Sequence, residues 1–193
     1  MKISVEQLGL ARGERVLFEN LSFEAAAGGF IEVHGANGAG KTSLLRALAG
    51  WLRPFAGAIR YDHEAPALAM HVLAHREGLK AQQSALAHVR YWAGLLGGND
   101  ALGAEALTRV GLARAAALPA RVLSRGQMRR LALTRLIVAP RPLWLLDEPA
   151  AGLDEEGKAL IASLIADHAR GGGTIVASCH EPLGPDPMHV VRL

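Results

Sequence analysis

Eight residues, GANGAGKT at 35–42, satisfy every fixed position of the pattern GxxxxGK[ST]. The pattern is suited to gripping a chain of phosphates. Gly35, Gly38 and Gly40 let the backbone curl close to an anion. Loop amides at Ala36, Asn37 and Ala39, with the helix N-terminus at Ser43, can then point at phosphate oxygens. Lys41 adds a mobile positive charge for the β and γ phosphates, and Thr42 places a hydroxyl where a Mg²⁺ ion bridging those phosphates would sit. A nucleoside triphosphate is the implied ligand. The plainer reading, a Gly-rich turn before a helix, leaves the flanking pattern and the other motifs unexplained.

Two carboxylates, Asp147 and Glu148, follow the apolar run LWLL at 143–146. Emerging at the carboxyl edge of a buried strand beside a phosphate loop, they form a Walker B arrangement. Asp147 is expected to hold Mg²⁺ through water, because magnesium keeps part of its hydration shell. Glu148 is expected to orient and deprotonate the attacking water. The segment LSRGQ at 123–127 precedes the helical run MRRLALTRLIV, and Ser124 with Gln127 has the S-x-x-Q spacing of a capping box. Capping alone accounts for that pair, yet a helix end presenting Ser124 and Gly126 is also an anion site. Asp154, followed by Glu155 and Glu156, reads as a helix N-cap with acids in its first turn. His180 follows the apolar run TIVASC and could simply end a strand.

These groups need a frame. Phe30, Ile31 and Val33 read as a strand entering the phosphate loop, and Leu44, Leu45, Leu48, Trp51 and Leu52 recur at helical spacing after it. Earlier strands are expected at 3–10 and 16–24, separated by the turns ARGE and AAGG. After the loop helix, Pro54 and Gly57 break the chain before another strand, and VLAH at 72–75 resembles a further one. Residues 80–138 are Ala- and Leu-rich with helical spacing, as at Leu86, Val89, Ala93 and Leu96, interrupted by GGND and Pro119. From residue 142 the alternation returns: strand LWLL, a helix bearing Leu160, Ile161, Leu164 and Ile165, strand TIVAS, and a short tail. Fully apolar strands separated by helices imply a parallel sheet covered on both faces, with ligands at the carboxyl ends of its strands. The fold class is therefore α/β, a mainly parallel sheet with an N-terminal antiparallel β edge and an inserted α-helical subdomain. One domain spans 1–193, with its core at 1–79 and 139–193 and the helical insertion at 80–138.

A chain of 193 residues can bury one sizeable core and is too short for two full domains. Half the residues are apolar, a fifth are charged, and the net charge is +3, too small a surplus to argue for nucleic acid. No apolar run approaches the roughly 20 residues needed to cross a bilayer. The start MKISVEQLGL lacks the apolar core of a secretion signal, so a cytoplasmic chain is expected. The single cysteine, Cys179, excludes an internal disulfide and reads as a buried core residue.

With GANGAGKT, LSRGQ and LWLLDEP in order, then AGLD at 151–154 and SCHE at 178–181, the chain resembles the nucleotide-binding domains of the ABC ATPases along essentially its whole length. LSRGQ stands for the LSGGQ motif of that family and lies about twenty residues before Asp147, as the family has it. The resemblance implies an ABC-type P-loop NTPase that binds ATP and Mg²⁺. It also implies a head-to-tail homodimer in the ATP-bound state, each ATP lying between one copy's phosphate loop and the other's Ser124, Gly126 and Gln127. Asp154 matches the aspartate that communicates across this interface, and His180 the histidine that contacts the γ-phosphate. Lys41, Glu148 and His180 would be the catalytic residues, with Thr42 and Asp147 at the metal.

Two departures stand out. The family's adenine-stacking aromatic is absent, Ala11 and Arg12 standing in its region; either Arg12 stacks through its guanidinium plane or the adenine is held loosely. The usual glutamine after the strand following the first helix is Arg76, which cannot accept a hydrogen bond or ligate a metal; Gln82 and Gln83 lie nearby but offset. Within the family, AHREGLK followed by Leu86, the compact length and the closing SCHEPL are similar to the ATP-binding subunits of the haem exporters of cytochrome c maturation. That similarity implies integral-membrane permease partners, a peripheral place on the cytoplasmic side of the inner membrane, and no direct haem binding by His34, His63, His71, His75 or His88. Other readings are the ATPase of another small ABC transporter, a soluble ABC ATPase acting on nucleic acid, and a nucleotide sensor that does not hydrolyse. Against the nucleic-acid reading, the chain carries no tandem cassette, long coiled-coil insertion or basic linker.

Overall fold

The structure, a computed structural model, describes residues 1–74 and 77–193. Its contacts divide the chain into two compact units. The first holds Met1–Ala74, Pro142–Pro149 and Ala162–Leu193; the second holds the described residues between Ala74 and Pro142 together with Ala150–Ile161.

In chain order the first unit contains β1 (Ile3–Arg12), β2 (Arg15–Ala25), β3 (Phe30–His34), α1 (Lys41–Leu48), β4 (Ala56–Tyr61), β5 (Met70–Leu73), β6 (Leu143–Asp147), β7 (Thr174–Ser178) and β8 (His189–Arg192). β1 pairs antiparallel with β2 and β4, giving the order β2-β1-β4. The other five strands form an all-parallel sheet, β5-β6-β7-β3-β8. β6 and β7 are buried at every position, the mark of a sheet covered on both faces. Ile3, Val5, Leu8 and Leu10 of β1 share a core with Ile31, Val33, Leu44, Leu45, Leu48, Leu143, Leu145 and Val176. Each such side chain contributes roughly 1.5–3 kcal/mol on burial. The strand ends that carry the polar residues therefore rest on a buried apolar core.

In the second unit, α2 (Ala85–Leu96), α3 (Gly103–Arg109) and α4 (Arg125–Val138) pack pairwise, burying Val89, Trp92, Leu107, Leu131 and Leu136. The Ser84 side chain caps α2 by accepting from the Ala87 N–H at 3.2 Å. The guanidinium of Arg135 lies 4.7 Å from the Trp92 ring and donates to the Glu77 carbonyl at 2.6 Å. Burial lowers its pKa to about 10 without discharging it at neutral pH. α5 (Glu155–Arg170) follows; its residues from Ala162 onward count with the first unit. Among the described residues no helix is long and apolar enough to cross a membrane.

Three expectations about elements need correction. The loop helix ends at Leu48, leaving Trp51 outside it and 65% exposed. Gly50 adopts a φ of 75°, and the Trp51 and Gly50 amides return to the Arg46 and Ala47 carbonyls, a Schellman closure that overrides the apolar spacing. The strand expected at 72–75 is Met70–Leu73, its register set by pairing from Met70↔Leu143 to Leu73↔Leu146; His75 lies outside the described residues. The short tail contains β8, which extends the parallel sheet beside β3.

Candidate functional site

The phosphate loop links β3 to α1, so its residues hang between a buried strand and a helix N-terminus. Gly38 and Gly40 hold φ values of 83° and 115°. The φ at Gly40 favours glycine, and a Cβ there would also crowd the Phe18 ring at 3.1 Å. Lys41 is buried, and its Nζ donates to the carbonyls of Gly35 at 2.7 Å and Ala36 at 3.3 Å. The ammonium is thus held across the loop rather than swung into solvent. A cavity of about 220 Å³ opens here, lined by Ala36, Asn37, Gly38, Gly40, Lys41, Thr42, Ser43 and Glu148, with Arg12 and Leu17 from the antiparallel sheet. Gly35 and Ala39 belong to the loop but not to that lining. Arg12 and Lys41 give the cavity the positive character that a polyphosphate needs.

Asp147 ends β6 and Ser178 ends β7, and the two are paired in register. The Thr42 hydroxyl donates to the Asp147 carboxylate at 3.0–3.1 Å, and the Ser178 hydroxyl donates to Asp147 Oδ1 at 2.7 Å. The backbone N–H of Glu148 reaches the same Ser178 through its Oγ at 3.0 Å and its carbonyl at 3.1 Å. Glu148 itself has a φ of 47°, a left-handed conformation that costs a non-glycine residue about 1–2 kcal/mol. Its carboxylate contacts His180 Nε2 at 3.0 Å. Five side chains, those of Thr42, Asp147, Glu148, Ser178 and His180, therefore converge from the ends of β6 and β7 and the start of α1 on one edge of the parallel sheet.

The remaining expected residues lie in the second unit. Ser124 and Gln127 form a complete capping box at the start of α4: the Gln127 N–H donates to Ser124 Oγ at 3.2 Å, and the Ser124 N–H to Gln127 Oε1 at 2.9 Å. Gly126 sits between them in the first turn. The Asp154 carboxylate accepts from the Gly157 N–H at 2.9 Å, as an N-cap of α5 should. None of these four lines the cavity of the phosphate loop. Arg76 lies outside the described residues.

A family model described as ABC transporter matches residues 18–151. The chain belongs to the ABC transporter family. A relative from Rhodopseudomonas palustris (strain HaA2), named cytochrome c biogenesis ATP-binding export protein CcmA, is 47% identical over 188 residues, covering 95% of this chain and 94% of its own length. A relative of the same name from Hyphomonas neptunium is 45% identical, covering 94% and 91%. Among solved structures, an ABC transporter ATP-binding protein from Pyrococcus furiosus superposes with a TM-score of 0.89 at 23% identity, over 100% of this chain and 98% of its own; that likeness speaks to the fold alone.

As an ABC transporter ATPase domain the chain binds ATP. The hydroxyl of Thr42 and the carboxylate of Asp147 are donors that could hold a Mg²⁺ ion. These are hard oxygens, at hydrogen-bond distance from one another, and they match the ion's preference for few protein ligands. The sequence alone does not point to Ser178, because a lone hydroxyl at the end of an apolar strand carries no local signal even beside the histidine of SCHE. The expectation of a buried cysteine holds for Cys179, 3% exposed, its thiol pushed up to about 12 by burial and by the neighbouring Glu32. His71 and His88 are buried, His63 is exposed, and His34 pairs with Glu32.

Proposed function

We propose that the chain is the ATP-hydrolysing subunit of an exporter serving cytochrome c biogenesis. Two copies would act with integral-membrane permease subunits of the haem system, on the cytoplasmic side of the inner membrane. The observation that carries this reading is 47% identity across nearly the full length of a protein whose name states ATP binding and export in cytochrome c biogenesis.

The geometry supports hydrolysis. With ATP in the loop, Lys41 exchanges the Gly35 and Ala36 carbonyls for phosphate oxygens, and the loop amides and the N-terminus of α1 take the remaining charge. Glu148 accepts a proton from the water that attacks the γ-phosphorus in line, while His180, 3.0 Å from its carboxylate, orients it and reaches the departing phosphate. Thr42 and Asp147 would hold Mg²⁺, which supplies neutralisation of charge on the β and γ oxygens. Arg12 stacks on or flanks the base. Acceleration then rests on positioning and electrostatics. Ser124, Gly126 and Gln127 of a second copy complete the site from outside, and Asp154 senses that approach. ATP binding closes the pair, and hydrolysis reopens it.

The test is ATP turnover by the purified chain, alone and with membranes from cells making c-type cytochromes. Stimulation by those membranes, lost in membranes from cells that lack the permease subunits of the haem system, is expected. A rate indifferent to membranes would sink the export reading.

A further inference from the structure

Behind the phosphate loop lies a second cluster that ATP chemistry does not use. Glu32 and His34 alternate by two along β3 and so share one face of the sheet. The Cys179 N–H donates to the Val33 carbonyl at 3.1 Å, bringing its side chain alongside. Glu32 Oε2 lies 2.8 Å from His34 Nε2, and Cys179 Sγ lies 3.4 Å from the same nitrogen. All three donor atoms fall within 4.8 Å of one another, and no other such trio of His, Cys, Asp or Glu occurs among the described residues.

We propose that Glu32, His34 and Cys179 form a binding site for a divalent transition-metal ion of the zinc class. Zinc bonds of roughly 2.0–2.3 Å at tetrahedral angles put ligand atoms about 3.3–3.7 Å apart; the 2.8 and 3.4 Å separations to His34 lie within about 0.5 Å of that range, and the third, at most 4.8 Å, must close by no more than about 1.5 Å. The carboxylate is already oriented: its other oxygen, Oε1, accepts the Leu183 N–H at 2.8 Å, the kind of supporting bond that fixes a metal ligand. Glu32 and Cys179 are 2% and 3% exposed. Burial is costly for a carboxylate whose side-chain neighbour is a histidine rather than a fixed cation, and a dication offsets that cost. His34 is partly exposed and provides the entry path, leaving a fourth position for water. A sulfur, a nitrogen and a carboxylate oxygen select zinc-like ions over magnesium, which separates this site from the all-oxygen pair at Thr42 and Asp147. On binding, the thiol gives its proton to solvent and coordinates as thiolate. The site adjoins the ATP machinery, His34 preceding Gly35 and Cys179 preceding His180.

Co²⁺ serves as the probe, titrated into the full, tag-free chain under reducing conditions with excess Mg²⁺ present. Because Cys179 is the sole cysteine, a thiolate-to-cobalt charge-transfer band can arise from no other residue. The expected result is that band together with tetrahedral visible absorption, saturating at one ion per chain and bleached by one equivalent of Zn²⁺. His34→Ala should bind at least about tenfold more weakly, and Cys179→Ser should lose the band, with far-UV circular dichroism confirming the fold of each. A six-coordinate spectrum without a thiolate band in the parent protein overturns the proposal, whatever the variants do. So does a folded His34→Ala that titrates like the parent. Neither outcome bears on ATP hydrolysis.

Discussion

Ser178 holds the Asp147 carboxylate and the Glu148 backbone, and its removal tests whether their placement matters. In Ser178→Ala, Asp147 Oδ1 loses a 2.7 Å hydrogen bond and the Glu148 N–H loses its 3.0 Å bond to the hydroxyl. The first is a bond to a carboxylate in a fully buried setting, worth about 1.5–3 kcal/mol. The second is largely replaced, since the same N–H already reaches the Ser178 carbonyl at 3.1 Å. A stability loss of about 2–3 kcal/mol is therefore expected, read from urea unfolding monitored by circular dichroism. Turnover should fall by roughly 10–100-fold, because small misplacements of groups that position water and substrate carry penalties of that order. KM for ATP should stay within about threefold, since Lys41 and the loop are untouched. A folded Ser178→Ala chain with kcat within about twofold of the parent would refute the reasoning.

Other perturbations separate structural from functional roles. Glu148→Gly should be more stable than Glu148→Gln by about 1 kcal/mol in urea unfolding, because both lose the carboxylate but only glycine relaxes the φ of 47°. Ser124→Ala should lower stability by about 1 kcal/mol through loss of the capping box; a turnover drop of more than about tenfold at saturating ATP would reveal the additional role across a dimer. His168 stacks on Trp144 at 3.8 Å, and burial lowers its pKa from 6.5 to about 4. The unfolded chain thus takes up a proton between those values that the folded chain refuses. Stability is complete above about pH 6.5 and declines toward pH 4, by about 1–2 kcal/mol after allowance for partial exposure. His168→Phe, which keeps the stack, should flatten that dependence in urea titrations at a series of pH values.

Much of the site was legible because its residues are bound to one another by fixed local spacing. Lys41 and Thr42 follow three glycines, Asp147 and Glu148 end a wholly apolar strand, and Ser124 with Gln127 spells a capping box that the structure reproduces. What escaped is what long-range pairing creates. Ser178 meets Asp147 only because β6 and β7 align in parallel register. β8 is a strand only because β3 offers it an open edge. Glu32 and His34 meet Cys179 across about 145 residues of chain. Trp51 misled in the opposite way: its spacing continues the apolar stripe of α1, but the left-handed turn at Gly50 had already closed the helix.

In the proposed mechanism Glu148 activates the attacking water at an ATP site completed by a second copy. Glu148→Gln measures it most directly, by phosphate release alongside light scattering with and without ATP. The variant should bind ATP with near-parental affinity, shift from monomer to a stable dimer on ATP addition, and lose turnover by at least about 100-fold. Turnover within about tenfold of the parent, or a variant that binds ATP and stays monomeric, would contradict the account.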